Sequence, residues 1–113
     1  MTSGGSDLAP LLRALADPAR LRVVELLSER PRRAGELAEQ LGVSAPTISK
    51  HLRTLLSAGV VVDERGQQDA RLRVFRLRPE SVVAVRAWLD QIQAHWDEQL
   101  GSFKAHVEGR TRR

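Results

Sequence analysis

A chain of 113 residues has room for one ordinary hydrophobic core and not for two. Apolar residues make up 42% and charged residues 28%, which excludes both a disordered tail and a membrane-embedded chain. With no Cys, disulfides, thiolate metal sites and cysteine nucleophiles fall away together, and with no secretory signal the expected address is the cytoplasm.

The net charge of +4 is unevenly spread. Residues 1–43 balance, residues 44–78 carry seven basic against three acidic side chains, residues 79–108 are net acidic, and the tail at 109–113 is basic. A local cationic surface on a chain of modest total charge points to a polyanion-binding face.

In chain order, residues 1–7 read as a disordered N-terminus. Leu8, Leu11, Leu12 and Leu15 then repeat at three and four, predicting a short amphipathic helix to Ala16. Asp17 is placed to cap a second helix and Pro18 to sit in its first turn. That helix runs to about Arg30 with Leu21, Val24, Leu27 and their neighbours inward, and Pro31 stops it. A third helix covers Ala34 to Leu41. Gly42 suits the left-handed turn after it, Val43 is the buried residue of the turn, and Ser44 caps a fourth helix over 45–58. After Gly59 the period becomes strand-like. Val60–Arg65 and Arg71–Arg78 read as a hairpin with a polar tip, Phe75 and Leu77 inward and a twist or bulge near the tip. A last helix from Glu80 to Val107 carries Trp88, Ile92, Trp96, Leu100 and Phe103 in one line.

The predicted fold is therefore mainly α with a small β-hairpin, in the order α-α-α-α-β-β-α. Two short helices joined by a Gly-containing turn, then a hairpin, spell a winged helix-turn-helix. Residues 8–108 are expected to form its DNA-binding and dimerisation domain, with 109–113 as a basic tail.

The fourth helix carries the functional argument. At about 100° per residue, Leu52, Leu55, Leu56 and Gly59 fall within about 80° of Ile48 and seat the helix on the core. Pro46, Lys50, Arg53 and Ser57 point the other way, flanked by Thr47, Ser49 and Thr54. Hydroxyls and cations without a carboxylate suit a major groove, whose floor offers base acceptors and whose walls are phosphates. His51 sits at the edge of the buried side, where a packed histidine is expected. Arg20 and Arg22 are open to phosphate contact or to ordinary surface pairs.

The long apolar line on the last helix exceeds what so small a body can cover. With Leu8, Leu11 and Leu15 of the first helix it is expected to form a homodimer interface, tryptophans being favoured there. An apolar effector held between the helices is the lesser reading.

Three stretches resemble the ArsR-type winged-helix repressors: LADPARLRVVELL (15–27), GELAEQLGVSAPTISKHLRTLLSAGVV (35–61) and RVFRLRP (73–79). The resemblance implies a homodimeric repressor that binds a palindromic double-stranded DNA operator. It places Ser44, Ala45, Pro46, Thr47, Ser49 and Lys50 at the major groove, with Arg53 nearest the phosphates. It also brings the wing, 65–73, to a flanking groove or the backbone through Arg65, Gln67, Gln68, Arg71 and Arg73.

The family's metal sites are not matched. Its thiolate site falls on a third helix that here has no Cys. Its second site meets His95 and His106 with Gln93 and Gly109 where ligands belong, so no metal and no cofactor is expected. No Gly-rich phosphate loop or acyl-transfer elbow points to an enzyme. The alternative is a winged-helix protein-interaction module without specific DNA binding, which would need neither a carboxylate-free helix nor an Arg-rich wing.

Overall fold

The computed structural model describes residues 4–64 and 72–111. Its elements are α1 (Gly4–Leu15), α2 (Pro18–Glu29), β1 (Arg32–Arg33), α3 (Ala34–Leu41), α4 (Ala45–Ser57), β2 (Val61–Glu64), β3 (Val74–Leu77) and α5 (Pro79–Thr111). The mainly helical architecture with a small hairpin is the winged helix-turn-helix expected from the sequence.

Helix α1 begins at Gly4, inside the stretch read as a disordered terminus. The apolar repeat marks only where the helix meets the core, so its first turn leaves no hydrophobic signature. The side chain of Asp17 accepts the Ala19 N–H at 2.8 Å and the Arg20 N–H at 3.2 Å, satisfying two donors at the start of α2. Inward on α2 are Val23, Leu26 and Leu27, whereas Leu21 is 44% exposed and Val24 half-buried. The expected line of Leu21, Val24 and Leu27 is thus rotated, because α2 packs on α3, α4 and the sheet at once and Val23 and Leu26 face that junction.

Gly42 ends α3 with φ 67°, and the Val43 N–H reaches back to the Ala38 carbonyl at 3.0 Å. This left-handed turn carries no Cβ penalty at glycine and swings the chain into α4. Ile48, Leu52 and Leu55 then bury one face of α4 against Leu37, Leu26 and Val23.

The sheet has three strands in the order β1-β3-β2, all antiparallel. Strand β1, two residues long, lies outside the expected hairpin. It forms because the chain leaving α2 passes β3 and pairs Arg32 with Phe75 and Arg33 with Val74. Phe75 is buried and Leu77 half-buried, as their shared parity predicts. The suspected twist or bulge falls at 65–71, outside the described residues.

Helix α5 leaves the body. Ser81 is buried at its start, its hydroxyl donating to the Arg78 carbonyl at 2.7 Å, and Val85 packs against the core. From Leu89 to Gly109 every side chain is exposed. The radius of gyration is 20.0 Å, whereas a compact chain of this length has about 13 Å. The difference is the unaccompanied length of α5.

Candidate nucleic-acid interface

The start of α4 is built to stay open. The Ser44 hydroxyl accepts the Thr47 N–H at 3.2 Å and lies 2.9 Å from the Thr47 hydroxyl, while Pro46 occupies the first turn without needing a backbone partner. Ser44, Ala45, Pro46, Thr47, Ser49, Lys50 and Arg53 are all exposed; Pro46, Lys50 and Arg53 lie opposite Ile48, Leu52 and Leu55, with Thr47 and Ser49 on the flanks and Ser44 and Ala45 at the open N-terminus. Thr54 turns its hydroxyl back to the Lys50 carbonyl at 3.2 Å. No acidic residue lies anywhere on α4.

The cations around this face differ in their partners. Arg22 pairs with Glu25, Arg30 and Arg32 with Glu36, Arg76 with Glu64, and Arg78 with Glu80. Among the described residues, Arg13, Arg33, Lys50, Arg53, Arg86 and Lys104 have no carboxylate ion-pair partner, and of these Arg13, Lys50 and Arg53 lie together. These three share one open cleft of about 460 Å³ with Arg20, lined also by Pro10, Ala14, Thr54, Ser57 and Ala58. Arg20 is fixed there by its Nε–H, which donates to the Ala14 carbonyl at 2.6 Å, and by Asp17 at 4.0 Å. The Arg20 backbone N–H, joined by the Ala19 N–H and the charges of Arg20 and His51, holds the Asp17 carboxyl below the usual carboxylate range.

Sequence reasoning missed Arg13. It sits on the polar side of α1, where it reads as an ordinary solvated charge, and nothing local places it beside a helix forty positions on. Arg20, weighed between phosphate contact and a surface pair, makes the pair and lines the cleft as well.

In the wing only Arg73 of the expected contacts is described. Its guanidinium pairs with Asp63 across the hairpin and lies 5.3 Å from the centre of the Phe75 ring. Arg73 is thereby tied into the sheet. Arg65, Gln67, Gln68 and Arg71 lie outside the described residues.

Of the expected dimer residues, Leu8 and Leu11 are buried within the single chain, and Leu15 and Trp88 are half-buried. They have little surface left to give a partner. Ile92, Trp96, Leu100 and Phe103 are open, Trp96 at 59% and Phe103 at 67% exposure. Leu89 and Val107 extend the same line. His95 and His106 are exposed on α5, and among the described residues no three of His, Cys, Asp and Glu are grouped as metal ligands. No helix is long and apolar enough to cross a membrane among those residues. His51 is half-buried, as expected of a packed histidine at the edge of the core.

A capped, outward-facing second helix in a helix-turn-helix, followed by a wing, defines a winged-helix regulator. The chain belongs to the arsR family of bacterial regulatory proteins, which residues 17–62 match. It is 40% identical to the HTH-type transcriptional regulator Rv2034 of Mycobacterium tuberculosis over 84% of this chain and 83% of that one. An ArsR-like transcriptional regulator from Rhodococcus sp. RHA1 superposes with a TM-score of 0.78 at 29% identity, covering 96% of this chain and 98% of that one. The homodimeric winged helix-turn-helix DNA-binding domain of Mb0332 from Mycobacterium bovis superposes with a TM-score of 0.61 at 26% identity, over 79% and 80% of the two chains. The chain is a transcriptional regulator of this family.

Proposed function

We propose that two copies of this chain pair along α5 and bind a palindromic DNA operator as a repressor, each laying the N-terminal half of α4 in a major groove. The observation that carries the reading is the outward face of α4. Its hydroxyls and cations are exposed, its N-terminus is capped without being covered, and no carboxylate opposes a phosphate. Thr47 and Ser49 are the base readers, with Ser44, Ala45 and Pro46 against the groove wall. The wing, with Arg65, Gln67, Gln68 and Arg71 toward its tip, follows the flanking groove or backbone. Arg73 supports it from behind through Asp63.

Pairing is supported by the open line on α5. A single chain leaves Leu89, Ile92, Trp96, Leu100, Phe103 and Val107 in water, a continuous apolar surface that marks an interaction site. The same line running along a second copy covers both. An apolar groove of about 280 Å³ lies where α5 departs, between Leu15, Val24, Leu77, Val85 and Leu89, and continues this surface into the body. A dimer of this kind presents its two recognition helices to half-sites about one turn, 34–36 Å, apart. Bound over a promoter in the cytoplasm, it blocks transcription by occupying the site.

The test is titration of labelled duplex from the gene's own upstream region against random duplex of equal length. Tight, salt-dependent binding with a preference for the upstream fragment is expected. Equal, weak and salt-insensitive binding to both would overturn the reading.

A further inference from the structure

We infer that the cleft between the C-terminal end of α1 and the stretch of α4 from Lys50 onward is a second DNA contact, a seat for a backbone phosphate gripped by Arg13 together with Lys50 and Arg53. This rests on the proposed DNA-binding function and adds to it a contact from α1, an element outside the helix-turn-helix.

Three observations meet at this cleft. It gathers cations from separate elements, Arg13 from α1, Arg20 from α2, and Lys50 and Arg53 from α4, and its lining includes no carboxylate. Arg13, Lys50 and Arg53 are also without an ion-pair partner among the described residues, as are the scattered Arg33, Arg86 and Lys104, whereas Arg22, Arg30, Arg32, Arg73, Arg76 and Arg78 each have one; what sets the first three apart is that they meet in one cleft. Like charges brought together without a counter-charge repel one another, and an anion between them removes that cost. Finally, the apolar part of the lining is Pro10, Ala14 and Ala58. Small side chains there leave a cleft of about 460 Å³ open enough for a sugar-phosphate to approach.

The position suits the backbone better than the base edges. Helix α4 has 13 residues and is about 20 Å long, whereas the major groove is about 12 Å wide. With Ser44 to Ser49 at the groove, Lys50 and Arg53, further along the helix, meet the phosphate wall. Arg13 then reaches the same strand from α1. Arg20, held by the Ala14 carbonyl and Asp17, stiffens the joint between α1 and α2 that sets the distance from Arg13 to α4. Lys50, which the family resemblance puts among the base readers, is on this account a phosphate anchor.

The test is Arg13→Gln in the full-length protein, with binding to the upstream duplex and to random duplex measured over a salt series. Arg13 is exposed and its neighbours Leu11 and Ala14 make the packing of α1, so the fold is expected to persist; an unchanged far-ultraviolet spectrum and melting curve check this. Removing one phosphate contact from each protomer lowers the slope of log affinity against log salt by about 0.9 each, about 1.8 per dimer. Between about 50 and 200 mM salt, the affinity of wild type should therefore fall about twelvefold further than that of the variant. Specific and random duplex should be affected alike. Lys104→Gln, which removes an exposed cation far along α5, should leave the slope unchanged. If wild type binds DNA with a steep slope and Arg13→Gln retains it, the phosphate seat is wrong and the DNA-binding reading stands. If wild type itself shows no salt-dependent binding, both fall.

Discussion

Arg32 and Glu36 meet at 3.1 Å across the entry to α3, joining a buried guanidinium to the first turn of the helix-turn-helix. The same guanidinium donates through Nε to the Leu26 carbonyl at 3.0 Å and through Nη2 to Glu29 at 2.6 Å. One side chain thus ties the end of α2, strand β1 and the start of α3. Arg32→Met keeps the stem but leaves the Leu26 carbonyl without its donor. A destabilisation of about 1–3 kcal/mol is expected, read from the urea midpoint. A midpoint equal to wild type would show that the network contributes nothing net.

The same corner sets a pH dependence. The hydrogen bond from Arg30, then the charge of Arg30 and the hydrogen bond from Arg32, hold the Glu36 carboxyl below its ordinary value, and at the start of α2 Asp17 is lowered chiefly by the Arg20 N–H. A carboxylate whose pKa is lower in the folded chain adds stability that is complete above the unfolded value of about 4. That stability drains as pH falls through the lowered folded value. The melting temperature should hold from pH 7 to about 5 and drop below about 4. Glu36→Gln should drop less steeply over that window. A variant curve parallel to wild type in acid would remove Glu36 from the account.

Trp96 tests the pairing along α5. It is 59% exposed in one chain, so its truncation removes little from the protomer's own core. In a paired α5 it is a buried aromatic anchor, of the kind whose truncation costs about 2 kcal/mol or more. Wild type should sediment as a dimer at micromolar concentration and Trp96→Glu as a monomer. A wild-type monomer would end the interface assignment.

Ser49 and Lys50 are adjacent, and the proposed docking gives them different parts of the duplex. Ser49→Ala should cost about 1–3 kcal/mol of discrimination between operator and random DNA while sparing random binding. Lys50→Ala should weaken both by the same factor and reduce the salt slope by about one unit per protomer. Reduced discrimination in Lys50→Ala, with random binding intact, would make it a base reader after all.

Zinc and arsenite should not release the protein from DNA at micromolar concentration. Arsenite needs thiolates, and the chain has no Cys. A closed zinc site needs about four donors at about 2.0–2.3 Å. His95 and His106 are eleven residues apart on one helix, about 16 Å. The double variant His95→Ala/His106→Ala should repress normally. Calorimetry giving a tight stoichiometric zinc site that the double variant lacks would make α5 a sensor.

What the sequence determined by itself is what short-range chemistry governs. Asp17 and Ser44 cap their helices, Gly42 turns left-handed, Ile48, Leu52 and Leu55 share a buried face, and Phe75 points inward, each because its cause lies within a few residues. The exposed cationic face of α4 followed from the same periodicity. Contacts between residues distant in the chain were decided only by the tertiary structure. Strand β1 exists because the chain after α2 runs past β3, so no strand pattern announces it. The side of α2 that is buried depends on which neighbours surround it, and Val23 took the inward place that Leu21 was expected to fill. Arg73 reads as a free wing cation until Asp63 is found opposite. Arg13 reads as solvent-facing until α1 packs beside α4 and sets it next to Lys50 and Arg53. Periodicity reports which face of a helix is apolar; where the other face ends up, and which charges it meets there, is fixed by packing across the fold.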